Sequence, residues 1–191
     1  GWGHHAGTTL SMVYVPADEN RAYVAVLGDS PVVIVDRSGR LIRSPTHNVM
    51  MNARSASESI AKGARYNGFY VDDIAMSRSL GDLYFDEILT REAEVYSVSI
   101  GSESIILLAT DGVFDLSYDD TNDEVFRLLG LALQKDGAKK LVRDAIVNRQ
   151  ANDNATAVVH LGAPLPEGGA LKRSVAIAEE NEANVAVFSA L

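Results

Sequence analysis

Three aspartates in this chain stand where a strand ends or a tight turn begins: Asp29, Asp111 and Asp153. Asp111 follows an apolar run of strand length, residues 105–109, and precedes a glycine that permits a tight turn. Asp153 lies in a second acidic loop, which is followed by another apolar run. Carboxylates from separate loops, in a chain with no cysteine and 4 histidines, suit hard cations such as Mg²⁺ or Mn²⁺.

Paired cations of this kind support phosphoryl chemistry, because they activate water and neutralise the charge on a phosphoryl group. Each aspartate also has an ordinary interpretation, in which its side chain closes a turn by accepting hydrogen bonds from nearby backbone amides. If all of them have that role, the chain is a structural β-domain and the carboxylates lie far apart. Spacing alone leaves both interpretations open.

The elements that must position these aspartates are predicted from the spacing of apolar residues. Residues 8–43 alternate well enough for an antiparallel meander of short strands with tight turns. Residues 52–64 favour a short helix, and residues 74–80 favour a short helix or a turn. The first half of the chain is therefore predicted to be mainly strand.

The second half of the chain mixes strands with longer helices. Residues 94–100 and 104–109 are expected to form a strand pair. Residues 123–134 and 138–148 each place apolar side chains on one face, which predicts two antiparallel helices lying on a sheet. Residues 155–161 predict a final core strand, which places Asp153 just before its start.

Prolines and paired glycines mark a linker after that strand. We expect one domain over residues 1–163, followed by a linker and acidic tail over residues 164–191. Residues 184–188 in the tail have a strand-like pattern. A length of 191 residues is compatible with a single domain.

Composition excludes several classes of function. The net charge of −9, without a basic cluster, argues against nucleic acid or an anionic membrane as the partner. No apolar run approaches the ~20 residues needed to span a bilayer. With no cysteine there is no disulfide and no thiolate zinc site, which fits a reducing compartment and predicts a cytoplasmic location.

Five short motifs follow one another along residues 7–161. They are Gly7-Thr8-Thr9, Gly28-Asp29-Ser30, Ser77-Arg78-Ser79-Leu80-Gly81-Asp82, Ala109-Thr110-Asp111-Gly112-Val113-Phe114-Asp115 and Asp153-Asn154-Ala155-Thr156. In this order the chain resembles the metal-dependent type 2C (PPM-type) Ser/Thr protein phosphatases. Each motif is weak by itself, and the resemblance rests on their order and spacing.

The resemblance implies an α+β fold in which two packed antiparallel β-sheets are flanked by helices, with metal ions at one end of the sandwich. It implies two or more Mn²⁺ or Mg²⁺ ions, with Asp111 as a shared ligand and Asp153 as a ligand on the opposite side. Asp29 would correspond to an acidic residue that helps hold a weaker additional metal in some members. Residues 52–70 would form the flap near the active site.

Other residues in or near the motifs are assigned to structure rather than to chemistry. Arg78 is expected to pair with a carboxylate inside the fold, and Asp82 to anchor a turn through backbone hydrogen bonds. His4 and His5 lie in a glycine-rich terminus, where adjacent histidines are expected to be solvated rather than metal-bound.

The chain departs from the family pattern at its start. Family members open with strands that supply an arginine for phosphate, an acidic metal ligand and an Asp-Gly-His-Gly-Gly motif, and these are not found ahead of Gly7. Three accounts are open: a fragment, a degenerate member, or opening strands that have moved. In the third account Glu182 would replace the missing acidic ligand, and otherwise its segment is an acidic surface tail.

The leading hypothesis is a phosphatase that hydrolyses phosphoserine and phosphothreonine in phosphoprotein substrates with a metal-activated water. The alternative is a pseudophosphatase, a binding or regulatory module that keeps the fold without turnover. The departure at the start favours the alternative, whereas the motifs around Asp111 and Asp153 favour the enzyme.

Overall fold

The computed structural model describes residues 6–114, 122–162, 174–178 and 185–189. In chain order the strands are β1 (Gly7–Thr8), β2 (Leu10–Tyr14), β3 (Arg21–Leu27), β4 (Val32–Val35), β5 (Leu41–Arg43), β6 (Leu80–Gly81), β7 (Glu94–Ser99), β8 (Ile105–Ala109), β9 (Ala155–Leu161), β10 (Ser174–Ala178) and β11 (Val185–Ser189). The α-helices are α1 (Ala53–Ala61), α2 (Asn122–Ala132) and α3 (Gly137–Arg143). The chain divides into two compact units, which are described separately.

The first unit carries most of a three-stranded sheet in the order β2-β3-β7. β2 and β3 are antiparallel, with Leu10 opposite Leu27 and Tyr14 opposite Tyr23. Val24 and Val26 of β3 are buried, so this strand supplies core side chains to the unit. A second, two-stranded sheet pairs β1 with β6.

Helix α1 in the same unit confirms the helix predicted over residues 52–64. Its N-terminus is capped by Asn52, whose side chain accepts hydrogen bonds from the amides of Arg54 and Ser55. It ends before Gly63, which has a φ of 100°, a conformation that glycine adopts without steric cost. Ala56 of the helix packs in a small core with Val49, Val71, Ile88 and Leu89.

The helix or turn predicted over residues 74–80 is not helical. Val71 and Ile74 form an isolated bridge, Met76 bridges to Asn48, and Arg78 bridges to Thr90 before β6 begins. The backbone of Ile74 bonds locally to Val71, whereas Ala75 and Ser77 bond to Val49 and His47, which are distant in sequence. Apolar spacing over so short a segment does not separate a helix from such bridges.

The second unit contains a six-stranded sheet in the order β11-β10-β9-β8-β4-β5. Each neighbouring pair is antiparallel. β8 lies between β4 and β9, and four of its five residues are buried, so the prediction of a strand buried on both faces is confirmed. The continuous apolar run in the sequence follows from that position.

Helices α2 and α3 contact each other, and α3 also contacts β9 and β10. Leu128 and Leu129 of α2 and Leu141 and Val142 of α3 are buried with Leu107 of β8. The predicted helix pair on a sheet is therefore confirmed. The second predicted helix is shorter than expected, because the chain after Arg143 continues as a π-helical turn, Asp144–Asn148.

Two predicted strand arrangements are wrong. The first strands do not form one meander, because β3 belongs to the three-stranded sheet and β4 to the six-stranded sheet. Likewise β7 and β8 do not pair with each other. A turn joins them, in which the Ser104 amide donates a hydrogen bond to the Gly101 carbonyl. β8 pairs instead with β4 and β9.

The predicted α+β fold class, with antiparallel sheets and helices, is confirmed. β10 and β11, which follow the predicted linker, extend the six-stranded sheet beyond β9. Glu182, His4 and His5 lie outside the described residues. In the part of the chain that is described, no helix is long and apolar enough to cross a membrane.

Candidate metal centre

Asp111 lies in a tight turn that begins where β8 ends. The Thr110 carbonyl accepts hydrogen bonds from the amides of Val113, at 3.0 Å, and Phe114, at 3.4 Å. Asp111 Oδ1 accepts a hydrogen bond from the Gly112 amide at 3.0 Å. Val113 and Phe114 are buried in the core of the second unit, so the turn is anchored on its C-terminal side. The Asp111 carboxylate is thus fixed close to the end of a buried strand.

Asp153 lies in the loop that leads into β9. Gln150 precedes this loop with a φ of 55°, and Ala151 donates its amide hydrogen bond to the Ala145 carbonyl at 3.0 Å. Asp153 Oδ1 accepts a hydrogen bond from the Asn154 amide at 2.7 Å, and the side chain is exposed. The loop is therefore anchored before Asp153 and held after it by the start of β9.

The loops of Asp111 and Asp153 are in direct contact. Thr110 Oγ1 donates to the Asn154 carbonyl at 3.2 Å and accepts from the Thr156 amide at 2.9 Å. The Thr110 amide donates to the Thr156 carbonyl at 3.0 Å. A Cβ atom added at Gly112 would lie 2.2 Å from the Asn154 carbonyl oxygen, so only glycine allows this approach without a shift.

Antiparallel pairing explains why these two loops meet. Ala109, the last residue of β8, is opposite Ala157 near the start of β9. The C-terminal end of β8 and the N-terminal end of β9 therefore lie side by side, at the same end of the strands. Two acidic loops separated by about forty residues of sequence are brought together in this way.

Asp29 belongs to the other unit, in the turn that follows β3. Asn48 Nδ2 donates to Asp29 Oδ2 at 3.2 Å. The assignment of Asp29, Asp111 and Asp153 as metal ligands remains a prediction. Among the residues that the structure describes, no group of three or more His, Asp or Glu side chains comes together as a metal site.

Arg78 is 8% exposed and forms the buried ion pair predicted for it. Its Nη2 lies 3.1 Å from both carboxylate oxygens of Glu58, and its Nη1 donates to the Glu92 carbonyl at 3.1 Å. Glu94 Oε1 is 3.5 Å from the same guanidinium. This network links α1, the segment before β6 and the start of β7 within the first unit.

Asp82 holds its turn through the backbone bonds predicted for it. Its amide donates to the Ala6 carbonyl at 2.8 Å, and its carbonyl accepts from the Phe85 amide at 2.9 Å. The side chain lies so close to Gly7 that a Cβ atom there would overlap the carboxylate. The observed contacts of Asp82 are therefore structural.

His47 was not identified from the sequence, although it supports the turn that carries Asp29. It is 1% exposed, and its Nδ1 lies 3.0 Å from both the amide nitrogen and the carbonyl oxygen of Gly28. Its Nε2 lies 3.7 Å from Glu94 Oε1. Burial lowers the pKa of His47, the charge of Arg78 lowers it further, and Glu94 opposes both effects.

The lowered pKa of His47 predicts a loss of stability at acid pH. In the unfolded chain the His47 imidazole binds a proton at about pH 6.5, whereas in the folded chain it does so only at lower pH. The free energy of unfolding therefore falls as the pH decreases below about 6.5. We expect urea unfolding to show this decrease between about pH 7 and about pH 5, and His47→Gln to flatten it. Parallel curves for the two proteins would show that His47 is not the titrating group.

The family comparison gives the class of the protein. The sequence model of the family described as protein phosphatase 2C matches residues 3–155. The chain therefore belongs to the protein phosphatase 2C family, which confirms the resemblance found in its motifs.

Individual relatives agree with this assignment, and solved structures share the fold. Protein phosphatase 2C homolog 1 of Saccharomyces cerevisiae is 31% identical over 147 residues, which are 74% of this chain and 50% of the yeast protein. The structure of a C. elegans sex-determining protein has a TM-score of 0.70 and 21% identity, and the match covers 84% of this chain and 41% of that chain.

The catalytic domain of the serine threonine protein phosphatase PstP, solved in complex with two manganese ions, has a TM-score of 0.50 and 19% identity. That match covers 80% of this chain and 57% of that chain. At these identities the solved structures show the fold. This chain spans half the length of the yeast relative.

Proposed function

We propose that this chain belongs to a metal-dependent phosphatase that hydrolyses phosphoserine and phosphothreonine in phosphoprotein substrates. The observation that carries the proposal is the contact between the Thr110–Gly112 turn and the loop of Asp153 and Asn154. Membership of the protein phosphatase 2C family supports the reaction type. A cytoplasmic location remains part of the same proposal.

The chemistry of the donors fits a hard divalent cation. Asp111 and Asp153 offer carboxylate oxygens at adjacent loops, and such ligands suit Mg²⁺ and Mn²⁺ better than soft metals. In this proposal Asp111 and Asp153 are metal ligands, and Asp29 is a ligand to a weaker additional ion. The manganese ions bound by PstP support the choice of Mn²⁺ or Mg²⁺ as the cofactor.

When bound, a pair of such ions supplies an activated water and neutralises the charge on a phosphoryl group. The protein contributes the rigid placement of its carboxylates. Asp111 and Asp153 each accept one hydrogen bond from the amide of the following residue, at 3.0 Å for Asp111 and 2.7 Å for Asp153. These bonds use Oδ1 and fix the orientation of each side chain.

Hydrolysis of a phosphothreonine peptide by the full chain tests the proposal. We expect turnover with millimolar Mn²⁺ that EDTA removes, and loss of that turnover in Asp111→Asn, because the amide oxygen lacks the carboxylate charge. The circular dichroism spectrum of the variant in metal-free buffer should match that of the parent protein. No stabilisation by millimolar Mn²⁺ together with no EDTA-sensitive turnover would support the pseudophosphatase, and normal turnover in Asp111→Asn would refute the ligand assignment.

A further inference from the structure

Arg149 was not identified in the sequence, and it reaches from one acidic loop to the other. Its backbone lies four positions before Asp153, at the end of the π-helical turn. Its Nη2 donates to the Val113 carbonyl at 2.6 Å. Val113 follows Asp111 by two positions, in the turn that the Thr110 carbonyl closes.

The guanidinium of Arg149 is itself held in place. Nε donates to Asp144 Oδ2 at 3.0 Å, and the Arg149 amide donates to the Asp144 carbonyl at 2.9 Å. The two side chains are 11% and 8% exposed. Because the planar guanidinium has donors on several edges, it can bind Asp144 with one edge and the Val113 carbonyl with another.

The other partners of Asp144 hold its carboxylate in place and favour its charged form. Arg127 Nη2 donates to Asp144 Oδ2 at 2.6 Å, and Asn148 Nδ2 donates to Oδ1 at 3.0 Å. Burial raises the pKa of the Asp144 carboxyl, but the bonds from Arg127 and Asn148 and the charges of Arg127 and Arg149 outweigh it, so the pKa lies below its usual value. Asp144 is therefore an anion at neutral pH.

We infer that Arg149 is a positioning residue for the candidate metal centre, and that it holds the turn of Asp111 against the loop of Asp153. The inference rests on the proposed function for its link to metal binding. A main-chain carbonyl is the acceptor, so Arg149 acts on the turn itself. The Asp111 carboxylate then keeps a fixed position relative to the Asp153 loop, because Arg149 lies in the segment that leads into that loop.

Arg127 provides a matched control for Arg149. It binds the same Asp144 oxygen, and its guanidinium also donates to both carboxylate oxygens of Glu124. Replacing either arginine with methionine removes one positive charge beside the Asp144 carboxylate and keeps an aliphatic side chain. Only Arg149→Met also removes the donor to the Val113 carbonyl.

The first measurement is hydrogen exchange in the metal-free full chain. We expect the amides of residues 112–114 to exchange about tenfold faster in Arg149→Met than in Arg127→Met, because the turn opens locally. Arg149→Lys serves as a second variant if the methionine variant does not fold. The lysine ammonium keeps the positive charge beside Asp144 but cannot bind Asp144 and the Val113 carbonyl from two edges of a planar group. Hydrogen exchange at residues 112–114 should therefore be faster in this variant too.

The second measurement is the Mn²⁺ affinity of the same variants by calorimetry. We expect Arg149→Met to bind Mn²⁺ about tenfold or more weakly than Arg127→Met, in the range seen when a supporting residue of a metal site is removed. Equal exchange and equal affinity in the two variants would overturn the inference. If the parent chain binds no Mn²⁺, the proposed function fails, and the exchange measurement still decides whether Arg149 holds the turn.

Discussion

Replacing Gly112 with alanine is expected to disrupt the contact between the two acidic loops. The added Cβ atom would lie 2.2 Å from the Asn154 carbonyl oxygen and 2.9 Å from its carbonyl carbon, and both belong to backbone rather than to a flexible side chain. One loop must therefore move away from the other. We expect urea unfolding to show a loss of about 1–3 kcal/mol in the free energy of unfolding, as for other overpacked sites.

Gly130→Ala is the matched control for this substitution. Gly130 lies inside α2, and a Cβ atom there meets no neighbour within 4 Å. Alanine in a helix interior should raise the free energy of unfolding by roughly 0.5–1 kcal/mol. The two glycine-to-alanine changes are thus expected to have opposite signs, and a stabilised Gly112→Ala protein would contradict the observed contact between the loops.

Replacing Arg78 with methionine is expected to have the second large effect, in the first unit. The substitution leaves Glu58 and Glu94 without the guanidinium that lies 3.1 Å and 3.5 Å from them. Removal of one partner from a buried ion pair costs about 3–5 kcal/mol when the remaining charge is left without compensation. In Arg78→Met, Glu58 keeps only the exposed Arg54 among the described residues, at 3.3 Å. The partial exposure of the two glutamates, 26% and 29%, places the expected loss near the lower end of that range.

Arg54→Met controls for the loss of an arginine beside the same carboxylate. Arg54 Nε lies 3.3 Å from Glu58 Oε1, but its side chain is 75% exposed. Exposed pairs of this kind contribute about 0–1 kcal/mol, because water screens the charges. If chemical denaturation gives equal losses for Arg54→Met and Arg78→Met, the Arg78 network is not a buried structural element.

Local sequence patterns predicted the elements around the candidate site better than their pairing. The apolar run before Asp111 became β8, and the run after Asp153 became β9 with the predicted limits. Strand partners depend on residues far apart in sequence, so β7 and β8 were paired wrongly although both strands exist. The contact between the acidic loops follows from the β8–β9 pairing, which no local pattern encodes.

The residues that support the two turns could not be predicted from the sequence. Asp144 lies in a segment that reads as a regular helix, whereas the chain forms a π-helical turn there, and Arg149 follows directly after that turn. His47 and Asn48 follow a proline and threonine in what reads as a polar loop. Their roles depend on contacts with Val113, Gly28 and Asp29, which are distant in sequence.

Calorimetric titration of Mn²⁺ into the full chain, Asp111→Asn and Asp153→Asn tests the central claim most directly. The account predicts saturable binding to the parent chain and affinity at least about tenfold lower in each variant, since each loses a proposed ligand. The variants should keep the parent circular dichroism spectrum in metal-free buffer. Parent-like Mn²⁺ affinity in both variants would contradict the claim that these two loops form a metal centre.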